Sequence, residues 1–205
     1  MRTSALGRCL RDLTYRLAHK ELLCTIPVAI LLPDADDRET TYPKIEAALR
    51  RIREHDSRRF RQVQRYVRAI VLSNHPTNFA RWLNDVRMCE LARPYVIAPT
   101  TTASHLAATI IHETTHARLF RLGINYRESL RARVEAVCYK AEMDFASRLS
   151  DGAEVVRHCE QALARDSSYY AASKFRERDF QALRQLGCPE WIVHTLEWVT
   201  RRRAA

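Results

Sequence analysis

His112, Glu113, Thr114, Thr115 and His116 place two imidazoles four positions apart with a carboxylate between them. On a helix, a four-residue step overshoots one full turn by only about 40°, so both imidazoles can reach a single metal ion. Glu113 is displaced by about 100° on the same wheel, where it can reach an activated water without itself being a ligand. The chemistry such a set performs is metal-assisted hydrolysis with Glu113 as general base.

A catalytic zinc ion is usually held by three protein groups, with a fourth position open to water. The elements around the motif indicate where the third comes from. From Pro99 onward, Thr101 or Thr102 can cap a helix that carries the motif to Leu122, and Gly123 can close it. A second helix is expected from Asn125 or Tyr126 to about Leu149, and so short a connection makes the two an antiparallel hairpin. Glu135 follows His116 after eighteen intervening residues. Measured from the connection, His116 lies about 9 Å and Glu135 about 12 Å along the hairpin, nearly level. Glu135 is therefore the expected third ligand. Glu128 and Glu142 stand seven residues to either side on the same face, Glu142 being the next choice, and such a stripe also reads as a solvated face. Glu142 or Tyr139 can supply the bond that fixes a histidine tautomer. Tyr126, Tyr139, His105 and His158 are candidates by residue type for stabilising an oxyanion, although His105 reads more simply as a helix-end residue.

HExxH, eighteen residues and then Glu resembles the gluzincin metallopeptidases, the thermolysin-like and aminopeptidase-like branch of the zincins. The resemblance covers about Thr102 to Phe145. It implies one zinc ion held by His112, His116 and Glu135, Glu113 activating the water, peptide or protein substrates, and a small twisted sheet above the active helix. The chain departs from the group at Tyr139, where Asp is common, at Val134, where Asn is common, and at Arg118, where an apolar residue is usual. Leu119 stands where the metzincin pattern requires Gly.

The rest of the chain supplies the scaffold. Its 205 residues, 46% hydrophobic and 28% charged, suit a soluble chain with one good core, read here as a single zincin-like domain over 1–205. Within it, 1–101 reads as a mixed strand and helix part, 102–150 as the metal-binding hairpin and 151–205 as a helical C-terminal part, together an α+β fold. Strands are expected at Thr25 to Leu32, Phe79 to Leu83, Val86 to Leu91 and Tyr95 to Ala98, with Asn84-Asp85 as a turn. Arg65 to Leu72 alternates like a strand, with a helix from Arg58 to Val71 as the other reading. One early helix spans Pro43 to Glu54 with Ile45, Ala48, Leu49 and Ile52 on its buried face. Later helices are expected at about Ala153 to Ala164, at Ser168 to Leu186 and from Pro189.

No apolar run approaches the roughly 20 residues of a membrane span, and no secretion signal is evident, so a cytoplasmic protein without membrane contact is expected. The six cysteines form no CxxC pair and read as structural thiols. Lys and Arg exceed Asp and Glu by 34 to 24, a net charge of +10. Arg50, Arg51, Arg53, Arg58, Arg59, Arg61, Arg65 and Arg68, with Phe60 and Tyr66 among them and Arg201 to Arg203 as a tail, form a basic face. The second reading is therefore a nucleic-acid-binding protein with a structural or vestigial metal site, or weak binding of nucleic acid or acidic surfaces beside the hydrolase.

Overall fold

Three apolar runs rich in branched residues make the centre of one five-stranded sheet: β2 (Ile26–Ile30), β3 (Ala69–Ser73) and β5 (Met88–Ala92), all parallel. The computed structural model describes residues 5–30, 33–34, 37–74, 79–185 and 187–202. β1 (His19–Leu23) pairs antiparallel with β2 across a turn in which Cys24 and Thr25 both take positive φ, the mirror-image turn that suits strand twist. β4 (Ala80–Leu83) pairs antiparallel with β5 and ends the sheet, giving the order β1-β2-β3-β5-β4. The turn expected at Asn84-Asp85 joins β4 to β5.

The register opposes Val28 to Ile70 and Ile70 to Cys89. One face of the sheet, with Val28, Ile30, Ile70, Leu72, Cys89 and Leu91, therefore enters the main core. The other face, with Ala69, Val71 and Met88, packs against Tyr15 of α1 (Ala5–Leu17). The main core is completed by α2 (Tyr42–His55), α3 (Ser57–Tyr66) and α5 (Ala103–Arg121). α2 carries Pro43 in its first turn and buries Ile45, Ala48, Leu49 and Ile52, the face expected from their spacing. The architecture is α+β.

Several expectations need correction. Among the described residues the first half holds four α-helices rather than one. The 65–72 stretch is neither wholly strand nor wholly helix: Phe60 and Val63 give α3 a buried face up to Tyr66, and strand pairing starts at Ala69. The strand expected at Tyr95 to Ala98 falls in a short helix, α4 (Arg93–Ile97). Pro94 suits its first turn, and Lys44 Nζ donates to the Val96 and Ala98 carbonyls at its end, at 3.2 and 2.9 Å. The second helix of the hairpin, α6 (Arg131–Ala146), begins later than Tyr126, after a 3₁₀ turn at Glu128–Leu130. α7 (Ala153–Leu163), α8 (Ala172–Gln185) and α9 (Glu190–Arg202) follow, with a 3₁₀ turn at Ser167–Tyr170 before α8. Leu31, Leu32, Leu186 and Arg203 fall outside the described residues. Among those that are described, no helix is long and apolar enough to cross a membrane.

Gly152 sets how closely α7 can follow α6, because a Cβ built there would overlap the backbone carbonyl of Ala146. Gly152→Ala is expected to cost about 1–3 kcal/mol in urea unfolding, the range for overpacking. An unchanged midpoint would show that the turn relaxes freely.

Candidate metal centre

α5 starts where the Thr102 hydroxyl accepts the His105 backbone N–H at 3.3 Å, while His105 Nδ1 accepts the Thr102 N–H at 3.3 Å. His105 is thus a capping residue, and Glu154 lies 3.6 Å from its other nitrogen. The helix closes at Gly123, whose φ is 81°. Ile110, Thr114 and Ala117, its uncharged back face, are buried. Thr114 and Thr115 tolerate burial because their hydroxyls donate to the Ile110 and Ile111 carbonyls, at 2.7 and 2.8 Å.

The opposite face meets α6. Glu135 sits where the level-hairpin argument puts it: its Oε2 is 3.3 Å from His112 Nε2 and its Oε1 3.6 Å from His116 Nε2. Both imidazoles thus turn their Nε2 atoms toward one carboxylate. The Tyr126 hydroxyl donates to the same carboxylate, and its ring stands edge-on to His116, with centroids 5.5 Å apart. On the far side of His112, Glu142 Oε2 lies 2.9 Å from Nδ1, so Glu142 is the residue that orients this imidazole. Tyr139 presses its ring edge-on against His112 at 4.7 Å. Glu128 stands apart, exposed, bonded to Arg131 and to the Ala172 N–H.

One residue at this point went unnoticed in the sequence. The ligating atoms of His112, His116 and Cys138 all lie within 4.8 Å of one another, so this His-His-Cys group can hold a metal ion. Cys138 is one helical turn beyond Glu135 and is fully buried. The six cysteines are free thiols, and that of Cys138 lies beside the two imidazoles. Two imidazoles and a thiol form a donor set suited to a transition-metal dication, and the Glu135 carboxylate stands against the same two imidazoles.

The electrostatics follow from burying so many titratable groups together. Burial works against charge on His112, yet its bonds to Glu135 and Glu142 pull it well above the ordinary imidazole range. Burial pushes His116 down to about 4, the pull of Glu135 being too weak to offset it. Burial also opposes the charge on Glu135, but the bond from His112 and the neighbouring imidazoles and Tyr126 hold it down to about 2. Glu113 is pushed up to about 7, first by burial and then by Glu135 and Glu142, while His112 and the Trp82 N–H oppose the rise. Glu135 would offer a bound dication a charged carboxylate, and His112 would have to give up its proton to serve as a ligand.

The centre lies in the wall of a cleft of about 880 Å³. Strand β4, with Ala80, Arg81 and Trp82, forms one side; Tyr126 and Tyr139 stand beside the histidines, and Tyr169, Arg165 and Arg178 form the far end. Comparison with protein-family models, curated proteins and solved structures finds no match, so the geometry of this cleft has to carry the functional reading.

The basic stretch is placed differently. Arg50 pairs with Glu46, Arg51 with Asp151, Arg59 with Asp56 and Asp144, and Arg68 with Asp12. Phe60 is buried in the core and unavailable for stacking on a base. None of the eight arginines lines the cleft. The Arg201 and Arg202 side chains lie outside the described ones.

Replacing Glu142 by Ala removes the acceptor on His112 Nδ1 while leaving His112, His116, Glu135 and Cys138 in place. Metal affinity is expected to fall by about 10–100-fold, measured by competition with a chromogenic chelator. Unchanged affinity would show that Glu142 does not orient the imidazole.

Proposed function

We propose that the chain is a zinc-dependent peptidase of the gluzincin type. The observation that carries this reading is the convergence of His112 Nε2 and His116 Nε2 on the Glu135 carboxylate, at 3.3 and 3.6 Å, with Glu113 buried alongside in the wall of a large cleft. His112, His116 and Glu135 would hold one zinc ion, since imidazoles with a carboxylate suit zinc. Glu135 is preferred to Cys138 as third ligand because its two oxygens already stand against both imidazoles. Cys138 lies deeper, where its thiol can close the set or pack idle.

Bound zinc supplies Lewis acidity that polarises a water and the scissile carbonyl. The remaining tasks fall to side chains. Glu113, held by the backbone N–H of Trp82, accepts the water proton and delivers it to the leaving amine. Of the four candidates for stabilising the oxyanion, Tyr126 is committed to Glu135 and His105 to the helix cap. Tyr139 and His158, with ring centroids 6.2 Å apart, remain for that task. β4 offers a substrate chain the backbone groups of a sheet edge beside the centre, which favours a peptide bound in extended form. The pairing of four of the eight arginines of the basic stretch with acids, and the burial of Phe60, weigh against nucleic-acid binding as the main role.

Tag-free protein is expected to carry about one zinc per chain by elemental analysis, with the content falling in His116→Ala and Glu135→Ala. Cys138→Ser is expected to keep it. Glu113→Gln should retain zinc while hydrolysis of a peptide library drops by roughly 10²–10⁴-fold. Absence of metal after zinc is added back would sink the reading.

Removing the ion is expected to lower the melting temperature. When free zinc exceeds its Kd a thousandfold, the bound ion is worth about 4 kcal/mol. Equal melting curves with and without a chelator would show that the fold gains nothing from metal.

A further inference from the structure

The end of the cleft away from the metal centre carries charge of the opposite sign. Arg165 and Arg178 stand on the Tyr169 ring, their guanidinium carbons 4.5 and 4.3 Å from its centroid, and both line the cleft. Arg178 is further fixed because its Nε donates to the Lys174 carbonyl at 3.1 Å and its Nη2 to the Tyr169 carbonyl at 3.0 Å. It also lies over the Phe175 ring at 4.5 Å. Tyr170, which packs edge-on to Tyr169 at 5.3 Å, is itself anchored by its hydroxyl bond to the Ala162 carbonyl at 2.7 Å.

Neither arginine has an acidic partner among the described residues, whereas Arg81, the other arginine in the cleft wall, pairs with Glu90. The nearby Asp166 carboxylate caps the 3₁₀ turn by accepting the Ser168 N–H at 2.8 Å. Glu113, Glu135 and Glu142 are all taken up at the metal centre. Both half-buried guanidinium groups are held by the Tyr169 ring, and Arg178 by backbone carbonyls as well; they keep N–H donors in reserve, and their fork matches a carboxylate. Holding them in advance lowers the ordering cost of binding.

We infer that Arg165 and Arg178 form a carboxylate-binding subsite, so that the favoured substrate carries an acidic group close to the cleaved bond. The spacing limits how close. From His112 the ring-to-ring steps to Tyr139, Tyr170 and Tyr169 are 4.7, 6.5 and 5.3 Å. The acidic group thus lies within about six residues of extended chain from the metal centre. This inference rests on the peptidase reading for the word substrate, but the subsite can be tested by binding alone.

The probes are fluorescently labelled decapeptides of one sequence, differing only in one charged group: an internal Glu with an amidated end, Gln with an amidated end, and Gln with a free C-terminal carboxylate. Their binding to zinc-loaded Glu113→Gln protein is read by fluorescence anisotropy at low and high salt. At least one carboxylate peptide is expected to bind about tenfold more tightly than the amidated Gln peptide, with the advantage shrinking in salt. Which of the two binds tells a side-chain carboxylate from a chain terminus. Adding Arg165→Gln and Arg178→Gln should bring the peptides to within about twofold of one another, with circular dichroism and zinc content unchanged. Equal affinities from the start, or an advantage that survives both substitutions, would overturn the subsite. Arginine-dependent binding with no cleavage by the wild type would instead overturn the peptidase reading and leave the subsite standing.

Discussion

Three carboxylates and two imidazoles share one buried point between α5 and α6, and the rest of the fold is organised around making that tolerable. Each such group taken from water alone costs several kcal/mol, and only mutual pairing brings the cost down. Glu135 faces both histidines, Glu142 holds His112 from behind, and Tyr126 donates to Glu135. Glu113 is the member left with the weakest compensation, a backbone N–H and a neighbouring imidazole against two like charges. Pairing satisfies the groups that hold position, and frustration is concentrated on the one that would move a proton.

Holding five polar side chains to this accuracy needs rigid surroundings. α5 supplies three of them and is itself gripped on its back face by α2 and α3 and along one flank by β4. α6 supplies the other two, kept against α5 by the hairpin and against α7 by the contact at Gly152. Loops contribute to the edges of the cleft, while the atoms that would do chemistry sit on helices. Tyr126, in the connection between α5 and α6, is the exception, and its hydroxyl is tied down by Glu135.

The parts legible in the sequence were those governed by local rules. Thr102 as a cap, Gly123 as a terminator, the buried face of α2 and the level placement of Glu135 follow from helix periodicity and a short connection. α4 was misread because Tyr95, Val96 and Ile97 have strand-like side chains, whereas five residues behind a proline can close a helical turn. α1 escaped notice because its only described core contact is Tyr15 against the sheet, an apolar signal too sparse in an arginine-rich segment. Cys138 escaped for another reason: a single thiol is uninformative until α6 is laid on α5, although its place one turn after Glu135 was a usable sign. Arg165 and Arg178 come together across the α7–α8 junction, and no spacing rule links them to residues more than forty positions earlier.

Strand β4 ends the sheet, and such an edge is the part of a β-sheet most open to pairing with further copies of the same chain. Here it is four residues long, and Arg81 and its partner Glu90 place a charged pair at its centre. A row this short gives a second sheet few backbone groups to template on, and charge disfavours stacking. A strand this short and charged therefore also guards against fibril growth: the strand that borders the cleft is the one that keeps the sheet from extending into a second copy.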